Sequence, residues 1–346
     1  MRKILILLLL FSFLFSFSCA RQKPAESQAT LVFTHAQKPA HPLLGHGLGI
    51  DHVGIAVRDL EKTNRDYEQV LGFKYFKIPP FTDGTVRSSV FFENNSYLEL
   101  TSVATISDQT KGFADFAEKH EGAMFLGLAT SSAKDAADYL KAQNFEAVLG
   151  GEESATKEKQ PKPPPPPYYY VFISDKPSGE RQPFMLSNFL FLIEYVSPER
   201  PGRLAALRKQ GMMTHSNTAL GIRSVWFAVR DLDAQLRNLR DAGFEPGETR
   251  EAKFLGAEGR EVKAGMGCLL LLRSTDDNGA LSKFLSNHDD GSILGVSIEV
   301  SDLNQARSWV EGHSGRKLRP YNGFYGQSIL IPPDLTHGVW MELFQR

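Results

Sequence analysis

Apolar and polar positions alternate with a period of two through "GIDHVGIAVRDL" at 49–60, the signature of a half-buried strand. Val53, Ile55 and Val57 fall on one face of that strand, and His52, Gly54 and Ala56 on the other. Asp59 ends the run as a helix N-cap. The period then lengthens: Leu60, Tyr67, Val70 and Leu71 share a helical face, and Gly72 stops it. A near-copy, "GIRSVWFAVRDL", occupies 221–232, and residues 50–60 and 222–232 agree at seven of eleven positions. Leu232, Leu236 and Leu239 line the helix of this copy, which Gly243 ends. "MFLGLATSSAKDAADYLKAQNF" and "ILGVSIEVSDLNQARSWVEG" repeat the strand–cap–helix order. Closing strands follow in "NSYLELTSV", "NFLFLIEYV", "GCLLLLRS" and "THGVWMELFQ". The pattern predicts four units, each of one strand, one helix and about three strands.

With "IDHVGIAVRDL", "YLELTSV", "FLIEYV", "HSNTALGIRSVWFAVRDL" and "ILIPPDLTHGVWMEL", the chain resembles the vicinal oxygen chelate (glyoxalase-like) superfamily over roughly 49–346. "PPDLTHGVWMEL" is also similar to the ends of methylmalonyl-CoA epimerases. The resemblance implies an α+β fold of four βαβββ units forming two glyoxalase-like domains. Their expected bounds are 49–200 and 216–346. A charged stretch and five prolines, Pro163 to Pro167, interrupt the second unit near 150–167. Five consecutive prolines impose polyproline II geometry, which suits a projecting loop or a docking peptide.

The N-terminus has a different composition. Arg2 and Lys3 precede an apolar run from Ile4 to Phe17, too short to span a bilayer comfortably and typical of a secretory signal. Ser18 and Cys19 follow, then polar "ARQKPAESQ". This resembles a bacterial lipoprotein signal over 1–19, which implies lipidation of Cys19 and a membrane anchor facing the periplasm; cleavage near Ser18 is the alternative. Residues 20–48, rich in Pro, Gln, Ser and Ala, read as a flexible tether carrying solvated His35, His41 and His46. The other cysteine, Cys268, reads as an inert buried strand thiol. Lys plus Arg number 39 against 40 Asp plus Glu, a balance that offers nothing to nucleic acid. The expected partner is a small molecule, and the protein is expected to be a monomer or homodimer.

The chemistry of the resemblance lies on the first and last strands of each unit, which in the family supply metal ligands to a cleft. His52, Glu99 and Glu194 fall at such positions, with Phe125 at the fourth. They imply a divalent cation such as Zn, Mn, Ni or Co. Glu194 would be the catalytic base, or a displaceable ligand, in lyase or isomerase chemistry through an enediolate. If units swap partners across the halves, Glu342 takes the place of Glu194. Tyr97 and Thr101 share the face of Glu99, and Gly54 and Ala56 leave open volume beside His52. His215 and His337 stand near cleft-forming strands, where each could instead order a turn. The second half offers Ser224, Leu271, Gly295 and Glu342 at the four positions, and Trp226 replaces Gly54, so that domain reads as degenerate. Three functions are compatible: a metal-dependent lyase or isomerase on a small carbonyl compound, a non-catalytic lipoprotein binding an aromatic or carbonyl ligand, and, more remotely, an extradiol-type dioxygenase. No phosphate loop, nucleophile elbow or cysteine metal motif is present.

Overall fold

The computed structural model describes residues 41–45, 49–79, 83–151, 168–174 and 182–346. The signal segment with Cys19, most of the tether and Pro163 to Pro167 lie outside the described residues.

Each repeat folds as a strand, a helix and three strands. The first unit is β1 (Ile50–Ala56), α1 (Leu60–Arg65, continued by one wider turn over Asp66–Val70), β2 (Phe76–Lys77), β3 (Thr85–Phe91) and β4 (Tyr97–Val103), followed by the linking helix α2 (Lys111–Lys119). The second is β5 (Gly122–Ala129), α3 (Ala133–Ala142), β6 (Ala147–Gly150), β7 (Tyr168–Ile173) and β8 (Leu190–Tyr195). Helix α4 (Arg200–Lys209) leads to the third unit: β9 (Ala219–Ala228), α5 (Leu232–Asp241), β10 (Pro246–Ala252), β11 (Ala257–Ala264), β12 (Gly267–Ser274) and the linking helix α6 (Ala280–Leu285). The fourth is β13 (Ile293–Val300), α7 (Leu303–Ser314), β14 (Tyr321–Gly323), β15 (Gly326–Ile331) and β16 (Trp340–Phe344).

The caps fall where the pattern places them. Asp59, Ser132, Asp231 and Asp302 each accept a hydrogen bond from a backbone N–H in the first turn of the following helix.

The units pair within each half, not across. The first eight strands form one mixed sheet in the order β2-β3-β4-β1-β5-β8-β7-β6, and the last eight form another in the order β10-β11-β12-β9-β13-β16-β15-β14. In both, the first strands of two units run antiparallel at the centre, β1 beside β5 and β9 beside β13. Glu342 therefore belongs to the second sheet, and the swapped ligand set containing it does not form.

Val53, Ile55 and Val57 are sealed in a core that runs continuously through both halves on the helix-bearing faces of the sheets. The end of the expected tether joins this core. Leu43 and Leu44 are buried, and His41 accepts from their backbone N–H groups while its ring lies 4.7 Å from that of Phe244. His41 is thus a packed turn residue, because burying two leucines outweighs the freedom of the segment.

Two of the proposed cleft histidines join the halves instead. His215 accepts the Lys74 N–H at Nδ1 (3.0 Å) and donates from Nε2 to the Phe91 carbonyl (3.0 Å). His337, at φ 56°, lies between Glu121 (2.8 Å from Nδ1) and Asp66 (3.0 Å from Nε2). The His337 hydrogen bond holds the Glu121 carboxyl below its ordinary range.

Burial pulls the His215 pKa from 6.5 down to about 4. The unfolded chain then binds the extra proton first, so stability is full above pH 6.5 and falls as the pH drops toward 4, by roughly 3 kcal/mol. Urea unfolding at pH 7, 5.5 and 4.5 should show a slope at least this large, and His215→Gln should reduce it, leaving the share of His120, whose pKa burial also lowers to about 4.

Candidate functional site

The concave face of the first sheet is built around an irregularity in β1. Ile50 pairs with Leu128, and His52 with the adjacent Gly127, so β1 carries one extra residue at Asp51. Such a bulge re-aims a side chain that strict alternation would send to the opposite face. Asp51 and His52, neighbours in sequence, consequently lie together, with Asp51 Oδ2 2.7 Å from His52 Nδ1. Both are buried, at 5% and 4% exposure.

Three donors meet the Asp51 carboxylate. His52 Nδ1 and the Tyr195 hydroxyl (2.8 Å) converge on Oδ2, and Arg200 Nη2 (3.0 Å) reaches Oδ1. The Arg200 guanidinium also lies over the Tyr195 ring, 3.6 Å from its centroid, so α4 is clamped to the mouth of the cleft. The Tyr97 hydroxyl is 3.2 Å from that of Tyr195. Burial first, then the nearby Tyr195, Asp51 and Glu99, pushes the Tyr97 phenol well above its ordinary range.

Aromatic rings enclose His52. Its ring stacks on Tyr97 (4.6 Å, 13°) and meets the edges of Phe125 (5.6 Å) and Phe191 (5.5 Å). Glycines make room for them. A Cβ at Gly127 would come within 2.5 Å of the His52 ring, and one at Gly54 within 2.0 Å of the Phe125 ring. The volume expected beside His52 is therefore occupied, by Phe125 reaching across from β5.

The expected ligand set does not assemble. Glu99 is buried on the same face, but it accepts from Thr101 Oγ1 (3.3 Å), and Arg87 Nη1 lies 3.6 Å away. Its charge is answered by a guanidinium from β3. Glu194 is on the other face of β8, where its Oε2 accepts the Ala133 N–H at the start of α3 (2.8 Å). The strand period is the reason: Leu190, Leu192 and Glu194 point to the helices, whereas Phe191 and Tyr195 reach His52 and Asp51. Among the described residues, no three His, Cys, Asp or Glu side chains are grouped closely enough to hold a metal ion. With His52 Nδ1 held by Asp51, Glu99 facing Arg87 and Glu194 capping α3, these residues do not fit a divalent cation.

The second sheet fills the equivalent space. Trp226 is fully buried, packs against Phe324 (5.1 Å) and Phe254 (6.1 Å), and belongs to a separate apolar cluster with Leu270, Leu272 and Leu294. Leu270 pairs with Trp226 on this face, while Leu271 is on the helix side. A buried polar chain satisfies the strand centre. Ser224 Oγ and Trp226 Nε1 each donate to Ser297 Oγ (2.9 Å), which donates to Glu342 Oε2 (2.6 Å). Tyr321 and the Phe324 N–H both donate to Glu342 Oε1 (3.1 Å). Burial raises the Glu342 carboxyl pKa, with these hydrogen bonds opposing. Cys268 is buried and donates to Glu261 (2.8 Å), and burial pushes its thiol up to about 12, which makes it unreactive.

Asp51, Tyr195, Arg200 and Arg87 were not legible as site residues. Alternation assigns Asp51 to the wrong face, and the other three become relevant only through pairing of distant segments.

The glyoxalase-like domain family model matches residues 50–243, more than half of the chain. Among solved structures, a variant of 4-hydroxymandelate synthase from Streptomyces coelicolor is similar, with a TM-score of 0.58 at 13% identity over 87% of this chain and 93% of that one. A hypothetical protein from Staphylococcus aureus has a TM-score of 0.54 at 14% identity, over 86% and 99%. Methylmalonyl-CoA epimerase from Mycobacterium tuberculosis has a TM-score of 0.34 at 22% identity, over 37% and 89%. No curated protein matches the chain.

Trp226→Ala should cost about 3–5 kcal/mol in urea unfolding, because the ring fills a sealed interior.

Proposed function

The chain belongs to the glyoxalase-like domain family of the vicinal oxygen chelate superfamily, and on that premise we propose that it is a binding protein whose first-half cleft holds a small planar aromatic molecule. One observation carries this reading: a continuous row of rings crosses the concave face of the first sheet. From β7 inward, successive centroids are 6.3 Å (Tyr168–Tyr170), 5.0 Å (Tyr170–Phe172), 5.6 Å (Phe172–Phe191), 5.5 Å (Phe191–His52), 4.6 Å (His52–Tyr97) and 4.9 Å (Tyr97–Phe91) apart.

His52 and Tyr97 in the row are buried and its β7 end is open, with Tyr168 36% and Phe172 51% exposed. Exposed rings continuous with buried ones cost solvation without a partner and offer a stacking surface to a flat ligand. In the second sheet Trp226 and Phe324 are buried and Phe254 and Tyr321 beside them are half-buried, none of them as exposed as Phe172. The role of that sheet in this reading is structural. No step through a cation is part of the proposal, because the side chains that would ligate one are engaged elsewhere.

Titration of the purified protein with 2-methoxynaphthalene, followed by fluorescence, tests the reading. Saturable binding is expected, weakened at least tenfold by Phe172→Ala or Phe191→Ala, which removes about 1.4 kcal/mol or more. Absence of binding, or binding indifferent to both substitutions, would sink it.

The proposal extends to location: the protein is exported and anchored through Cys19, a reading supported by the charged start and the apolar run before that cysteine. In a bacterial host the wild-type chain should sediment with membranes and Cys19→Ala should be released, as immunoblots of the fractions would show. A wild-type chain that is soluble throughout overturns the anchor.

A further inference from the structure

We infer that His52 is the ligand-selecting acceptor of this cleft, and that the molecule held there is a phenol, whose hydroxyl donates to His52 Nε2. The inference rests on the aromatic-binding reading above and adds to it the polar group that the ligand must carry.

Arg200 binds one oxygen of the Asp51 side chain, and the Tyr195 hydroxyl and His52 Nδ1 meet the other. A carboxyl that pairs with a guanidinium and receives two further polar contacts is ionised and can only accept. At 2.7 Å from that oxygen, His52 Nδ1 must carry the proton. In the neutral ring Nε2 is then the bare nitrogen, an acceptor with its lone pair in the ring plane. The tautomer is imposed by a buried partner, as second-shell carboxylates impose it on histidines elsewhere.

Nε2 has no hydrogen-bond partner among the described residues, and it is not among their fully buried unpartnered polar atoms. It is thus an unpartnered acceptor that the surrounding rings do not wholly cover, on a side chain otherwise buried. The contrast with His215 is direct: there both nitrogens are satisfied by backbone, and the tautomer is the reverse.

The surroundings decide the class of donor. Rings of Tyr97, Phe125 and Phe191 border the imidazole, so the donor must arrive on an apolar, flat body. The charges at this end are already matched, Asp51 with Arg200 and Glu99 with Arg87. A ligand cation or anion would have to leave water without a partner, whereas a neutral hydroxyl has only one hydrogen bond to replace. An aromatic hydroxyl combines the two requirements. Losing it should leave an unpaired acceptor in an apolar site, the situation in which discrimination by a single hydrogen bond is largest.

The test compares 2-naphthol with 2-methoxynaphthalene, which keeps the rings and lacks the donor. Wild-type protein should bind 2-naphthol at least tenfold more tightly. His52→Phe, which keeps a flat ring over Tyr97, should bind the two equally. Asp51→Asn can donate to Nδ1 and free the proton for Nε2, so it should erase the preference between the two probes. An independent readout needs no ligand: 15N shifts of the folded wild-type protein should show Nδ1 protonated and Nε2 bare. Equal binding of both probes by the wild type, or a proton found on Nε2, overturns the acceptor role while the aromatic reading stands. If neither probe binds, the aromatic reading fails with it.

Discussion

A buried carboxylate sets the terms for the first half of the molecule. Asp51 is almost out of solvent, and an isolated charge in such a place would cost several kcal/mol. It is tolerable because a guanidinium, a phenol and an imidazole converge on its two oxygens, and those donors come from α4, β8 and β1. Meeting that requirement clamps the linker helix to the cleft mouth, orders Tyr195 and chooses the tautomer of His52. The bulge in β1 is what makes the arrangement possible, since without it the carboxylate would face the helices.

The two sheets show how one scaffold yields an open face and a closed one. Ring-for-glycine exchange is the device in both. In the first sheet Gly54 and Gly127 yield to Phe125 and His52, which leaves rings standing along the concave surface. In the second, a Cβ at Gly295 would meet the Trp226 ring at 2.7 Å, and the indole closes over the strand centre. Ser297 satisfies the indole N–H and Ser224 together and passes one hydrogen bond to Glu342. The Glu342 carboxyl, an expected ligand had the units swapped, thereby becomes part of a saturated interior network.

Histidine illustrates how far partner geometry outweighs residue type. His52 faces a carboxylate and keeps one nitrogen bare. His215 is held by two backbone groups and driven neutral by burial. His337 bridges two carboxylates between the halves. His120 and His288 come from matching turns of the two halves and pack ring against ring at 4.0 Å. Four of these five therefore serve the packing of one half on the other or the turns beside it, and only His52 addresses a cleft.

The sequence by itself determined the four units, their caps, the helix-facing positions of the first strand and the closed character of the second half. These follow from local periodicity and from single substitutions such as Trp226 for Gly54, which neighbouring residues are enough to interpret. It also placed His52, Tyr97, Glu99 and Thr101 on a common face, correctly, because β4 is regular. It misplaced Glu194 by one residue, since the apolar run "NFLFLIEYV" hides the phase of a strand buried on both sides, and a glutamate there suggests ligation when it caps a helix. Only the tertiary structure decided that units pair within halves, that Phe125 fills the space over Gly54, and that Asp51 turns toward His52. Each of these depends on the register between strands distant in sequence, and a one-residue bulge is enough to reverse which face a side chain serves.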